Sequence, residues 1–136
     1  MTWRRQSSAK YSSVRCNNTF FSELAGRRFD SQLERRVAEH LVSMQRNREI
    51  KDLRFQDQVE LTRAGITWRI DFSYVQNKVK WYEEAKGFQT ADYMLKLKLY
   101  RVYGQAPLRI TKEGYNKNLV TEEIYPSDYL GKEKKK

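Results

Sequence analysis

Cysteine and histidine are almost absent from this chain, and their scarcity restricts its chemistry. Among 136 residues there is one cysteine, Cys16, and one histidine, His40. A single cysteine excludes an intrachain disulfide, so we expect a reducing compartment such as the cytoplasm. One cysteine and one histidine are also too few for the usual zinc ligand sets. A catalytic metal would therefore need oxygen ligands, which suits Mg²⁺ or Mn²⁺.

Long apolar runs and an excess of acidic residues are also lacking. No segment approaches the roughly 18–20 apolar residues of a membrane span, so we expect neither a membrane anchor nor a secretion signal. Lysine and arginine number 27 against 17 aspartates and glutamates, giving a formal net charge of +10. This surplus predicts a polyanionic partner, and without an anchor we favour nucleic acid over a membrane surface.

The composition predicts three segments. Residues 1–28 are polar and basic, and they are expected to form a flexible arm that either orders on DNA or stays a disordered tail. Residues 29–125 are predicted to form one folded domain. Residues 126–136 are predicted to be a disordered, lysine-rich tail.

The folded segment opens with a predicted helix, from Phe29 to Arg46. Ser31 is a candidate N-cap, and Glu34 follows at the spacing of a capping box. Apolar residues at steps of four, four and three predict one buried stripe, formed by Leu33, Val37, Leu41 and Met44. His40 is expected on the helix surface.

The apolar period then changes to two, which is typical of strands. Alternation from Ile66 to Tyr74 predicts a half-buried strand with Asp71 on its polar face. A two-residue turn at Gln76-Asn77 would place Asp71 opposite Tyr82 in the next strand.

A helix is predicted after the N-cap candidate Thr90, and a short strand, "LRIT", follows it. Four apolar residues of that helix are expected to be buried: Met94, Leu95, Leu99 and Val102. The predicted fold class is α/β, a small mixed β-sheet flanked by helices.

Three charged side chains carry the predicted chemistry. Glu84 and Lys86 share one face of their strand because they are two residues apart, and the hairpin would place Asp71 diagonally beside Glu84. Two carboxylates this close repel each other unless protons or a cation lie between them. A metal ion, a positioned water and a nearby cation are the minimal apparatus for phosphodiester hydrolysis. Glu83, on the other face, is predicted to form an edge salt bridge.

The segments "RIDF" and "YEEAKG", preceded by "FDSQLERRVAEHL", resemble the PD-(D/E)xK nuclease superfamily. The resemblance covers residues 29–98 and is closest to phage-encoded endonucleases, including Holliday-junction resolvases of the endonuclease I type. It implies a restriction-endonuclease-like core in which Asp71 and Glu84 bind the metal, with the Ala85 carbonyl and Glu34 as further ligands. Lys86 would assist the nucleophilic water. Glu34 has a competing role in the capping box.

The resemblance implies a phage-encoded, Mg²⁺-dependent DNA endonuclease, with Mn²⁺ able to substitute, that acts as a homodimer on branched DNA in the host cytoplasm. Basic residues of the arm and of the second helix are expected to bind DNA: Arg4, Arg5, Lys10, Arg15, Lys96, Lys98 and Arg101. Asp57 is a further candidate carboxylate. Two alternatives stay open, a DNA-binding module with a nuclease fold and a nuclease subunit that is inactive alone.

Overall fold

The computed structural model describes residues 19–135, with side chains as far as residue 131. This part of the chain forms a short hairpin, a five-stranded sheet and three α-helices. In chain order they are β1 (Phe20–Ser22), β2 (Arg27–Phe29), α1 (Gln32–Arg46), β3 (Lys51–Glu60), β4 (Thr67–Gln76), β5 (Val79–Ala85), α2 (Ala91–Tyr103), β6 (Leu108–Glu113), a 3₁₀ turn (Tyr115–Lys117), β7 (Leu119–Ile124) and α3 (Ser127–Lys135).

The large sheet has the strand order β3-β4-β5-β6-β7. Strands β5 and β6 pair in parallel, and the other neighbours pair antiparallel. The parallel pair follows from α2, which carries the chain across the sheet between these two strands. The predicted α/β class with a mixed sheet is therefore confirmed. Strand β7 and the hairpin β1–β2 were not predicted.

Helices α1 and α2 cover opposite faces of the sheet. Alternate residues of β5 show this, because Trp81 packs in the apolar cluster beneath α1 whereas Tyr82 packs against the cluster beneath α2. Each cluster contains buried residues from its helix: Val37 and Leu41 of α1, and Leu97 and Tyr100 of α2. Strand β5, which carries the buried Glu83 and Glu84, is thus packed on both faces, with Tyr82 against one cluster and Ala85 against the other.

The turn between β4 and β5 lies one residue later than predicted. Gln76 pairs with Val79, so Asn77 and Lys78 form the two-residue loop, and both have positive φ, of 52° and 70°. Such angles are typical of the type I′ turn that matches the twist of a hairpin. Tyr82 consequently lies opposite Ser73, not Asp71. The register differs from the prediction by an even number of residues, so the paired residues of β4 and β5, from Phe72 to Gln76 and from Val79 to Glu83, share faces as predicted.

The buried face of α2 was wrongly predicted. Tyr93, Leu97 and Tyr100 are buried, whereas Met94 and Leu95 are 48% and 54% exposed. Val102 is exposed as well, and Leu99 is half-buried. Apolar residues occur on several sides of this helix, so periodicity alone could not select the face that meets the sheet.

The boundaries of the predicted arm and tail also change. Residues 20–29 form the β1–β2 hairpin, and the Ser22 hydroxyl donates a hydrogen bond of 2.6 Å to Glu39 of α1. The end of the chain, predicted to be disordered, contains helix α3. The remainder of the predicted arm, residues 1–18, lies outside the described residues. Within the described part, no helix is long and apolar enough to cross a membrane.

Candidate active site

Strand β4 changes its buried face at Asp71. Trp68 and Ile70 belong to the cluster beneath α2, whereas Phe72 and Tyr74 belong to the cluster beneath α1. A regular strand would keep these four residues on one face, because they differ by multiples of two. The predicted alternation is confirmed, because all four residues are buried, but the prediction of a single buried face is wrong, since each end of β4 is buried on a different side.

The neighbouring strand has an unusual backbone at the same level. Gln56 of β3 has a φ of 57°, and it lies between two residues that keep one register with β4, Phe55 opposite Phe72 and Asp57 opposite Ile70. Positive φ is strained for a residue other than glycine or asparagine, and such strain often occurs at functional sites. The side-chain Nε2 of Gln56 lies 3.5 Å from Asp71 Oδ1.

Two hydrogen bonds join Asp71 to strand β5, one to Glu84 and one from Ala85. The backbone N–H of Asp71 donates to Glu84 Oε1 at 3.1 Å, and the N–H of Ala85 donates to Asp71 Oδ2 at 3.0 Å. One oxygen of each carboxylate is thereby fixed. Glu84 Oε2 accepts no hydrogen bond from the described residues. The two carboxylates therefore lie on the same face, as predicted, and each keeps an oxygen oriented away from these backbone contacts.

Glu34 reaches this pair from the first turn of α1. The Ser31 hydroxyl caps the helix by accepting from the Glu34 N–H at 3.0 Å, as predicted. The Glu34 side chain contacts Gln56, whose Nε2 lies 3.4 Å from Glu34 Oε2 and 3.5 Å from Asp71 Oδ1. One amide nitrogen thus lies between the two carboxylates, and their oxygens cannot be further apart than the sum of those distances. The reciprocal half of the capping box is not made in this structure, which leaves the carboxylate directed into the site.

Lys86 supplies positive charge beside the three carboxylates. Its charge lowers the pKa of Glu34, of Asp71 and of Glu84, while its Nζ lies 4.7 Å from the centroid of the Tyr93 ring. The lysine is half-buried, and its backbone N–H donates to the Thr111 carbonyl of β6. The backbone of Lys86 is therefore fixed to strand β6, next to the acidic cluster.

Burial raises the pKa of all three carboxyl groups of the cluster. Burial is the largest cause in each case, and it raises the pKa of Glu34 to about 7, of Asp71 to about 6 and of Glu84 to about 8. The charge of Asp71 adds to the effect at Glu34 and Glu84. Near neutral pH the cluster accordingly retains protons, which a bound cation would displace.

The donor set suits a hard divalent cation. The side-chain donors are carboxylate oxygens, the ligand type that Mg²⁺ and Mn²⁺ prefer. Among residues 19–131, no three acidic, histidine or cysteine side chains are spaced closely enough to enclose an ion as they stand. The Asp71–Glu84 pair would therefore be the core of such a site, and the Gln56 amide nitrogen lies between Asp71 and Glu34. Ala85 contacts Asp71 through its N–H, and its carbonyl as a ligand stays a prediction.

Glu83 is not an edge residue, contrary to the prediction. It is 6% exposed and accepts hydrogen bonds from the Tyr74 hydroxyl at 2.6 Å and from the Thr111 hydroxyl at 2.7 Å. Arg109 Nη1 in turn donates to the Tyr74 oxygen. Glu83 thus belongs to a buried polar network on the other face of β5, away from Glu84.

Asp57 lies outside the acidic cluster. Its carboxylate accepts from the Ser73 hydroxyl at 2.7 Å and forms an ion pair with Lys80 at 3.6 Å. The side chain from β3 that joins the cluster is its neighbour Gln56. Sequence reasoning missed Gln56 because a glutamine within an alternating strand carries no signal of its own.

Two further charged residues beside the cluster were also missed. Burial and the charge of Asp71 raise the pKa of Glu34, the exposed Asp30 raises it further, and the Arg27 guanidinium lowers it. Arg27 is held over the rings of Phe29 and Phe55, 5.1 Å and 5.0 Å from their centroids. Only the folding of the β1–β2 hairpin brings Arg27 near the site, and no local motif indicated it.

The predicted DNA-binding residues of α2 differ in whether an acidic side chain lies close enough to neutralise their charge. Lys98 is exposed, Lys96 forms an ion pair with Asp92 at 3.4 Å, and Arg101 lies 3.7 Å from Glu122. Part of the positive charge of α2 is therefore compensated. The predicted contacts of the arm, Arg4, Arg5, Lys10 and Arg15, lie outside the described residues.

Comparison of the chain with protein-family models, with curated proteins and with solved structures found no match. The site must therefore be interpreted from its own geometry.

Proposed function

We propose that this protein is a metal-dependent DNA endonuclease of the PD-(D/E)xK type. The observation that carries the proposal is the convergence of Glu34, Asp71, Glu84 and Lys86, from one helix and two strands, around buried carboxylates of raised pKa. Separate elements would not deliver three carboxyl groups and a lysine to one buried place merely to stabilise the fold, because burying them there is unfavourable. The net charge of +10 adds a surface suited to a polyanion.

The residues have distinct roles in this proposal. Asp71 and Glu84 would hold Mg²⁺, or Mn²⁺ in its place, and the ion would polarise the phosphate and lower the pKa of a water. Glu34 is placed to orient that water or to accept its proton, since burial keeps the Glu34 pKa at about 7. The Lys86 ammonium would stabilise the negative charge that develops on the phosphate oxygens.

The finer part of the proposal concerns the substrate. We propose branched DNA, cut by a homodimer, because a four-way junction presents two symmetric strands to a two-fold symmetric enzyme. The protein would be phage-encoded and would act in the host cytoplasm. Lys98 and the basic residues near the beginning of the chain would contact the phosphate backbone, which positions the duplex without reading its sequence.

The test compares cleavage of a four-way junction and of a linear duplex with the same sequence, each with and without Mg²⁺. We expect the wild-type protein to cut the junction preferentially in Mg²⁺ and not in EDTA. Asp71→Asn should abolish cleavage while DNA affinity measured in Ca²⁺ changes little. Asp57→Asn is the matched control, because it removes a carboxylate of the same sheet outside the cluster, and it should cleave normally.

Each outcome separates two functions. Equal cutting of junction and duplex would identify a general endonuclease and remove the branched-DNA proposal. No cutting by a protein shown to be folded, together with salt-sensitive DNA binding, would remove the enzyme and leave a DNA-binding module. Cutting that appears only with a partner protein would identify a nuclease subunit.

A further inference from the structure

The hydroxyl of Tyr93 has no role in the packing of the protein. Tyr93 is 3% exposed, and its hydroxyl oxygen is buried without a hydrogen-bond partner among the described residues. Buried polar groups of folded proteins nearly always have a partner, and an unpaired one is unfavourable. Such a group therefore indicates a partner that the polypeptide itself does not provide.

The position of Tyr93 is fixed by one backbone hydrogen bond and two ring contacts. Its backbone N–H donates to the side chain of the N-cap, Thr90, at 3.1 Å, which fixes it in the first turn of α2. The ring packs edge-on against Trp68 at a centroid distance of 5.8 Å. The Lys86 ammonium lies 4.7 Å from the ring centroid. None of these contacts involves the hydroxyl, so phenylalanine would pack equally well at this position.

The Tyr93 ring lies beside the acidic cluster through its contact with Lys86. Burial raises the pKa of Tyr93 to about 12, and the charge of Glu84 is the next largest cause, ahead of Glu122 and the opposing Arg101. The last two residues pair with each other at 3.7 Å. The hydroxyl, carried by the ring that Lys86 contacts, therefore stays protonated at neutral pH and is available as a donor.

We infer that the Tyr93 hydroxyl donates a hydrogen bond to a non-bridging oxygen of the phosphate held beside Glu84 and Lys86. This inference rests on the proposed nuclease function and adds a catalytic residue to it. An anionic oxygen is the natural partner of a buried donor next to an ammonium group. A donor directed at an oxygen on which charge develops favours the transition state over the ground state.

The test is Tyr93→Phe, which removes one oxygen and keeps the ring contacts with Trp68 and Lys86. We expect the single-turnover cleavage rate to fall about 100-fold. The melting temperature of the metal-free, DNA-free protein should stay the same or rise, because a buried unpaired hydroxyl has been removed. Tyr100→Phe is the matched control, since the Tyr100 hydroxyl donates to the Ala106 carbonyl at 2.6 Å. It should lower the melting temperature and leave the rate nearly unchanged.

A sulfur substitution in the DNA adds a second measurement, the change in cleavage rate on phosphorothioate DNA. A purely structural role of Tyr93 would not alter this change. Replacing a non-bridging oxygen of the scissile phosphate by sulfur weakens its hydrogen bonds, so one of the two phosphorothioate isomers should slow the wild-type enzyme more than it slows Tyr93→Phe. An unchanged sulfur effect, or a variant that only loses thermal stability, would overturn the inference in favour of a structural water.

The same experiment distinguishes the two proposals. If the wild type cleaves, Asp71→Asn does not, and Tyr93→Phe cleaves at the wild-type rate, the inference about Tyr93 fails while the nuclease stands. If the folded wild type cleaves nothing in Mg²⁺, alone or with a partner protein, both fail together.

Discussion

Replacing Glu84 by glutamine should stabilise the protein in the absence of metal. The folded protein raises the pKa of this carboxyl group from 4.5 to about 8, chiefly by burial and then through the charge of Asp71. The folded state therefore binds more protons than the unfolded state in this range. The contribution of the protonated Glu84 carboxyl group to stability is fully present below pH 4.5, and it is lost as the pH rises through 8.

The size of the effect follows from the shift. At about 1.4 kcal/mol per pKa unit, the change from 4.5 to about 8 sets an upper limit of about 4–5 kcal/mol for the cost of the ionised group. Neighbouring carboxyl groups take up part of the proton exchange, and glutamine can keep the acceptor for the Asp71 N–H. We expect Glu84→Gln to raise the free energy of unfolding by about 2 kcal/mol above pH 8 and to change it little near pH 4.5.

The assay is urea unfolding in EDTA, followed by the fluorescence of the three tryptophans, at several pH values. Glu83→Gln is the matched control on the other face of β5. Its carboxylate accepts from two hydroxyls, so the amide should lower stability by about 1–3 kcal/mol above pH 8, where the two variants are compared. If Glu84→Gln were as destabilising as Glu83→Gln above pH 8, the Glu84 carboxylate would not be an uncompensated buried charge, and the reasoning for a cation site would be refuted.

Mg²⁺ should stabilise the wild-type protein increasingly as the pH rises, since the ion must displace protons from the acidic cluster; a pH-independent effect in thermal unfolding would contradict this. Ser31→Ala should lower the free energy of unfolding by about 1 kcal/mol, because the Glu34 N–H loses its cap; unfolding by urea measures this, and an unchanged value would exclude the cap. Gln56→Asn tolerates the positive φ but shortens the side chain, so cleavage should fall about 10-fold with stability retained; a normal rate would show that the amide does not order the carboxylates. Deleting residues 1–14 should weaken DNA binding and flatten its salt dependence in a titration, and an unchanged slope would remove the arm from the interface.

Local patterns in the sequence were sufficient for the elements that carry the site. The cap at Ser31 and the apolar stripe identified α1, and the period of two identified β4 and β5. The common face of Glu84 and Lys86 also follows from that period. Even the misplaced hairpin turn left Asp71 on the correct face, because the register error was an even number of residues.

Contacts between distant segments could not be obtained in this way. The strained backbone of Gln56, its position between Glu34 and Asp71, and the approach of Arg27 all depend on how β3 and the first hairpin pack. The buried face of α2 was misjudged because its apolar residues are not confined to one side. The unpaired hydroxyl of Tyr93 exists only because α2 buries that side of the helix.

The sequence by itself thus determined which residues could carry the chemistry, since side-chain type and strand periodicity are local properties. Only the tertiary structure decided which charges are buried together and how far their pKa values rise. Desolvation and electrostatic repulsion depend on separations in space, and these are set by the packing of helix α1 and strands β3, β4 and β5 around Asp71.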